Sequence, residues 1–252
     1  MIIIPMAGMS RRFTEAGYDR PKYMLPVGDC SLFAWTVMSF RASFNRELIV
    51  FVFRNVLNTR QFIIQEMEAL GIGSDWYQLV ELEMPTSGQA ETVALGCRAL
   101  PARSQDSVTI FNIDTVRVGY TPPPFVIDGT ADGFLEVFSA EGDHWSFVEP
   151  VAGTDRVCRT TEKIRISSYC SDGLYYFRTA RMFLKAYEKI EKADVGSLQG
   201  AERYVAPMYN DLIAAGYDIR FSEVAVERLY FSGTPSEYEI FLTQADKLQG
   251  VI

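Results

Sequence analysis

The sequence predicts an α/β fold: a Rossmann-like mixed, mostly parallel sheet with flanking helices, plus a smaller lobe. Three observations predict it. Short continuous apolar runs, "III" near the start, "LIVFVF" at 48–53 and "VTIFNI" at 108–113, read as strands buried on both faces. Segments of helical spacing alternate with them, which makes successive strands parallel. After "TPPPF" at 121–125 the rhythm changes to closely spaced strand-like runs.

Taken in order, Ile2, Ile3 and Ile4 form a first buried strand. Ser31 suits the N-cap of a helix through Leu32, Phe33, Val37, Met38 and Phe40. Residues 48–53 are the second strand. Phe62, Ile63, Met67 and Leu70 space a helix over 59–70, and Gly71 is its C-cap. Residues 79–82 are a short strand. Gly88 opens a helix through Val93, Leu95 and Leu100 that Pro101 stops. The fourth strand, 108–113, ends at Asp114. Beyond the connector, strands are expected at 133–138, 145–148, 156–166 and 173–177, helices at 181–190 and 199–215, a strand at 219–226 and a closing helix at 236–248. The whole reads as one domain with two lobes, 1–120 and 121–252.

Composition narrows the function. Of 252 residues 48% are hydrophobic, enough for a sizeable core, and the formal net charge is -8. No basic nucleic-acid face is advertised. No apolar run approaches the ~20 residues of a membrane span. Residues 2–4 are too short for the apolar region of a signal peptide, and no basic region precedes them. The four cysteines form no C-x-x-C pair. Reduced thiols and a cytoplasmic location are therefore expected. The single histidine, His144, leaves little for a Ser-His-Asp mechanism or a multi-histidine metal site.

An acidic protein that handles anions must gather its few cations locally, and "PMAGMSRRFTEAGYDRPKYMLPV" does so. Ligands of an open parallel sheet bind beyond the carboxyl ends of its strands, where the segment after Ile4 lies. Ala7 and Gly8 let the backbone approach a ligand, and their N–H groups, with those of Met9 and Ser10, can cradle phosphate. Arg11 and Arg12 add forked donors and Lys22 a point charge. From this local pattern alone, Arg11 and Arg12 fit a solvated surface pair equally well. A P-loop is excluded by spacing, and a G-x-G-x-x-G fingerprint by Ser10 and Phe13 at glycine positions.

The same residues carry a resemblance. Ala7-Gly8-Met9-Ser10-Arg11-Arg12 followed by Pro21-Lys22-Tyr23-Met24-Leu25-Pro26 resembles the signature of the sugar-phosphate nucleotidyltransferases, which include the glucose-1-phosphate thymidylyl-, uridylyl- and cytidylyltransferases and relatives in capsule and cell-wall synthesis. "PTSGQAETV" at 85–93 is similar to their base-recognition turn, and "FNID" at 111–114 to the strand ending in the magnesium aspartate. "HWSFVEPVAGTDRVCRTTEK" at 144–163 is similar to the acceptor hairpin, "SDGLYYF" at 171–177 to Asn-x-Gly-x-Tyr-x-Phe, and "SGTPSEYEIF" at 232–241 to the turn before the last helix.

The resemblance implies a GT-A-like fold, with 1–120 as nucleotide-binding lobe and 121–252 as acceptor-binding lobe. It implies transfer of NMP from an NTP to a phosphorylated acceptor with release of pyrophosphate. Arg12, Lys22 and Asp114 would be catalytic, with Asp114 holding Mg²⁺. Ala7, Gly8, Met9, Ser10, Arg11, Glu83, Gly88 and Gln89 would face the nucleotide, and Ser146, Glu162, Lys163 and Asp172 the acceptor. The partners are a nucleoside triphosphate and a phosphorylated small molecule, not nucleic acid or membrane. A homodimer is the assembly common to acidic enzymes of this size, and surface polysaccharide synthesis the setting.

Ser10 stands where the signature has its second glycine, and three further sites depart from the pattern. Phe231 stands where relatives carry a second metal aspartate, leaving Asp114 with phosphates and waters, or with Glu223 or Glu227. Trp145-Ser146 replaces the Tyr-Gly of hexose-phosphate enzymes, pointing to another sugar phosphate or a smaller phospho-compound. Glu83 replaces a base-reading glutamine, which favours the exocyclic amine of CTP. Two alternatives stay open: a non-catalytic nucleotide-binding protein on the same fold, and a nucleotide-sugar-dependent glycosyltransferase.

Overall fold

A computed structural model of the chain describes residues 1–245 and 248. Its first part runs β1 (Ile2–Met6), α1 (Arg11–Glu15), a hairpin of β2 (Pro26–Val27) and β3 (Cys30–Ser31), α2 (Leu32–Met38), β4 (Ile49–Arg54), α3 (Thr59–Ala69), β5 (Tyr77–Leu82), α4 (Gln89–Ala99), β6 (Val108–Ile110) and β7 (Thr115–Arg117). There follow α5 (Pro124–Ile127), β8 (Gly133–Ser139), β9 (Ser146–Pro150), β10 (Val157–Glu162), β11 (Tyr169–Phe177), α6 (Ala180–Glu191), α7 (Tyr209–Ala214), β12 (Ile219–Glu223), β13 (Leu229–Phe231) and α8 (Pro235–Leu242). Among the described residues no helix is long and apolar enough to cross a membrane.

The chain forms two compact units, each assembled from separated stretches. The hairpin unit takes Met1–Ile3, Thr86–Phe111 and Pro122–Val226; the loop unit takes Ile4–Pro85, Asn112–Thr121 and the chain from Glu227. Neither follows the expected division after residue 120. Residues 86–111 join the hairpin unit because β6 pairs antiparallel with β11. The chain from Glu227 joins the loop unit because β13 pairs with β7.

In the hairpin unit, β6 lies parallel to Ile2 and Ile3 of β1. β11 pairs antiparallel with β8, and β12 adds to β8 in parallel. β9 and β10 form the antiparallel hairpin that opposes Ser146 to Glu162. The sheet is thus mixed: the parallel half follows the βα alternation, and the antiparallel half follows from short connections. Phe134, Phe138, Phe147 and Phe177 fill its core, and Tyr209 stacks on Phe177 with ring centroids 4.6 Å apart.

In the loop unit, β4 and β5 pair in parallel from Ile49–Tyr77 to Arg54–Leu82. A second core gathers Phe13, Leu25, Leu32, Trp35, Tyr238 and Phe241. α1 is held there by Phe13, whose ring meets Tyr18 and Tyr238 edge-on at 5.3 and 6.1 Å. Ser31 caps α2 as expected, accepting from the Ala34 N–H at 3.0 Å.

Several elements differ from expectation for local reasons. β6 stops at Ile110, three residues early, and Asp114 sits in the turn before β7. The Ile113 carbonyl accepts from the Thr36 hydroxyl at 3.1 Å instead of a ladder partner. β10 stops at Glu162, because Lys163 takes the left-handed φ of 55°. The helix expected over 199–215 is broken into short turns and α7. Gly200 has a φ of 69°, and Pro207 has no N–H to donate. The closing helix runs Pro235–Leu242; residues 246 and 247 of its expected span lie outside the described residues.

Candidate active site

In the loop unit, β1 delivers the chain into the Ala7–Ser10 loop, and α1 carries it away. The reversal occurs at Ser10, which adopts φ 49° and ψ 32°. Its carbonyl receives the N–H groups of Phe13 and Thr14 at 2.9 and 3.1 Å. This is the position where the resemblance called for glycine, and the backbone keeps the left-handed conformation that glycine adopts freely. Arg11 and Arg12 are exposed at the start of α1.

Lys22 ties this loop to Asp114. Its backbone N–H reaches Ser10 Oγ at 3.4 Å, and its Nζ donates to Asp114 Oδ2. The pair is largely sheltered, with side chains 18% and 22% exposed. Asp114 is held from behind: its carbonyl accepts from the Ser232 N–H at 2.8 Å and from Ser232 Oγ at 2.9 Å. Gly233 follows closely, so that a Cβ there would lie 3.4 Å from Asp114 Oδ2. Phe231, where the resemblance implies a second metal carboxylate, pairs with Thr115, the residue after Asp114. Among the described residues no group of three His, Cys, Asp or Glu side chains could hold a metal ion. Asp114 nevertheless fits Mg²⁺ that arrives with phosphate, since this ion takes one or two carboxylates and fills its shell with phosphate and water oxygens.

Also in this unit is a cleft of about 250 Å³ lined by Met6, Gly8, Met9, Ser10, Tyr23 and Arg54 among others. No acidic side chain lines it. Glu83 is exposed, one residue past β5.

The hairpin unit gathers Ser146, Glu162 and Tyr175. Ser146 Oγ donates to Glu162 Oε2 and lies 3.4 Å from the Tyr175 hydroxyl. Glu162 is only 4% exposed, and burial raises its pKa above the usual carboxylate value, against the opposing pull of Ser146 and Lys163. Burial likewise raises the Tyr175 phenol, with Glu162 adding to the shift. The Glu162 N–H is held by Gln199 Oε1 at 2.8 Å. Lys163 points its ammonium at Tyr204, 2.5 Å from the hydroxyl and 4.6 Å from the ring centre. Asp172 is buried in a bulge of β11, where its Oδ1 accepts from the Leu174 N–H at 3.0 Å.

Gly88 and Gln89 belong to this unit too, at the start of α4. Gly88 has a φ of 146°, and a Cβ there would lie 2.6 Å from the Arg203 backbone. The Ala90 N–H donates to the Arg203 carbonyl at 2.8 Å, and the Arg203 N–H to Ser87 O at 2.9 Å. The bare Gly88 is thus explained by chain packing. His144 is exposed beside Trp145, with ring centroids 4.4 Å apart.

Comparison with solved structures decides the family. A nucleoside-diphosphate-sugar pyrophosphorylase from Vibrio cholerae is 43% identical over 97% of this chain and 100% of its own, with a TM-score of 0.89. The chain belongs to the sugar-phosphate nucleotidyltransferases. More distant structures share the fold. An inositol-1-phosphate CTP transferase from T. maritima is 15% identical over 100% of this chain and 97% of its own (TM-score 0.72), and a UDP-glucose pyrophosphorylase bound to UDP-glucose is 13% identical over 98% of each (TM-score 0.74). No family model and no curated protein matches the chain.

Sequence reasoning missed some residues of this nucleotidyltransferase. Tyr175 lies in a run whose strand alternation marks an aromatic as core, which hides that its hydroxyl lies 3.4 Å from Ser146 Oγ. Gln199 and Tyr204 lay in a stretch read as helix. Arg54 ends the apolar run of β4, and a charge closing "IVFVF" at the carboxyl end of a parallel strand was the available signal.

Proposed function

We propose that this nucleotidyltransferase binds its nucleoside triphosphate through Gly8, the neighbouring residues 7 and 9–11, Arg12, Lys22 and Asp114, and its phosphorylated acceptor through Ser146, Glu162, Lys163 and Asp172. The observation that carries the reading is the linkage of the phosphate-type loop, Lys22 and Asp114 within one unit. The acceptor phosphate has a second pKa near ~6 and is already largely dianionic at neutral pH. One of its oxygens forms the new bond to the α-phosphorus as the bond to pyrophosphate breaks, and no proton has to move. The scarcity of histidine is therefore no obstacle.

What remains is to hold two polyanions in line, and positioning of that kind is worth ~7–11 kcal/mol of a barrier. Arg12 stabilises charge on the departing pyrophosphate, and Lys22 sits between the α-phosphate and the acceptor phosphate. Asp114 would hold Mg²⁺, which would offset phosphate charge. Lys163 takes the acceptor phosphate, and Glu162 its hydroxyls or amine. The name of the Vibrio relative favours a sugar phosphate as acceptor. Ser146, bonded to Glu162, fills space that a glycine would leave for a hexose, which favours an acceptor other than plain glucose 1-phosphate. Exposed Glu83 favours CTP, with Gly88 and Gln89 near base or ribose.

The test crosses CTP, UTP, dTTP, GTP and ATP with sugar phosphates and phospho-alcohols, following pyrophosphate release with Mg²⁺. Fastest release with CTP and a compound other than glucose 1-phosphate, lost in Asp114→Ala, is expected. Normal turnover of glucose 1-phosphate with UTP or dTTP would overturn both specificity assignments.

A further inference from the structure

Arg54 closes β4 and lines the cleft formed with Gly8, Met9, Ser10 and Tyr23, all within the loop unit. Its Nε is buried without a hydrogen-bond partner, and among the described residues no carboxylate pairs with its guanidinium. Arg54 is half-buried, and a buried donor left without an acceptor is costly unless something in the cleft accepts from it. The chain around it is strained as well. Leu57 and Asn58, three and four residues beyond Arg54, adopt φ of 51° and 60°. A left-handed leucine is strained, and strain of this kind clusters at active sites and ligand clamps. The turn is pinned by Thr59, whose hydroxyl meets Val56 O at 2.5 Å and the Tyr23 hydroxyl at 2.9 Å.

We infer that Arg54 is a further nucleotide-binding residue, donating from its guanidinium to a phosphate group of the nucleoside triphosphate beside the Gly8–Ser10 loop. This rests on the proposal that the loop holds the nucleotide. An anion is favoured over a neutral base carbonyl because no acidic side chain lines the cleft beside the guanidinium, and the forked donors of arginine match phosphate oxygens.

The test uses the full chain and Arg54→Met and Arg54→Lys variants, with titration calorimetry of CTP, UTP and inorganic tripolyphosphate and a thermal melt of each protein. Expected for Arg54→Met is a loss of about 10- to 100-fold in affinity for tripolyphosphate and for whichever nucleotide binds, the range for a charged hydrogen bond. Its Tm should be unchanged or higher, since a buried donor without a partner has been removed; the affinity of Arg54→Lys should fall between. Unchanged tripolyphosphate affinity in Arg54→Met would overturn the inference, as would a lowered Tm with binding intact, the mark of a structural arginine. A weakening confined to nucleotides, with tripolyphosphate unaffected, would also overturn it by moving the contact to the nucleoside. If the unaltered protein bound neither nucleotide nor tripolyphosphate, the underlying reading of the loop would fall, and this inference with it.

Discussion

Nothing lies within 4 Å of the position a Cβ would take at Gly8, whereas at Gly88 the Arg203 backbone lies 2.6 Å away. Two glycines that look alike in the sequence therefore have different reasons. Gly88 is required by the fold; Gly8 is bare towards open space, so its reason lies in what enters that space. Gly8→Ala is expected to melt at the temperature of the unaltered protein while losing about tenfold or more in nucleotide affinity, measured by calorimetry. A large fall in Tm would instead make Gly8 structural. Glu162 offers a second check. Its folded-state pKa is raised, so as pH rises above the usual carboxylate value the unfolded chain gives up the proton first and the folded state loses stability. Glu162→Gln removes that cost. The variant should melt higher than the unaltered protein at pH 7, with the gain fading once the pH falls below the usual carboxylate range. Lys22 and Asp114, which the structure pairs, each sit in a short ordered motif that a sequence displays. Arg54 leaves only one trace in the sequence, a charge at the end of an apolar run; that its Nε lacks a hydrogen-bond partner shows only in the structure.

At the scale of elements, α8 shows how a segment remote in sequence steadies Asp114. Thr234 Oγ1 accepts from the Glu237 N–H at 3.2 Å, and Glu237 Oε2 accepts from the Thr234 N–H at 2.9 Å, closing a capping box. Ser232, two residues earlier, holds the Asp114 carbonyl, and Tyr238 one turn on packs against Phe13 under the opening loop. Thr234→Ala should cost about 1 kcal/mol in denaturant unfolding. It should also weaken nucleotide binding modestly, since the turn behind Asp114 loosens; unchanged unfolding would show that the cap is not holding this turn. Strongly periodic elements such as 48–53 and 59–70 were legible to within a residue or two. The stretch over 199–215 was not: its apolar spacing mimics a helix, while Gly200 and Pro207 break it and free Gln199 and Tyr204 to face Glu162 and Lys163. There tertiary hydrogen bonds outweigh helical spacing.

At the scale of the whole molecule, the order of the chain and the composition of its compact units are different things. The change of rhythm at "TPPPF" suggested lobes of 1–120 and 121–252, because a sequence is read along the chain. The units are instead interleaved: 86–111 belong with 122–226, and the segment after 227 belongs with the N-terminal stretch. The reason is pairing. β6 needs β11 on its free edge, and β7 needs β13. A break between 120 and 121 strips both strands of these partners at once and exposes the unsatisfied N–H and C=O groups of sheet edges. It also removes Tyr238 and Phe241 from the core around Phe13. Neither fragment, 1–120 or 121–252, is therefore expected to fold alone; each should lack a cooperative thermal transition in circular dichroism and bind a hydrophobic dye. Mixing the two should restore the transition, because every missing partner is then supplied in trans. A fragment 1–120 that melted cooperatively by itself would show that 86–111 can settle without β11, and the interleaving would then be no requirement of folding.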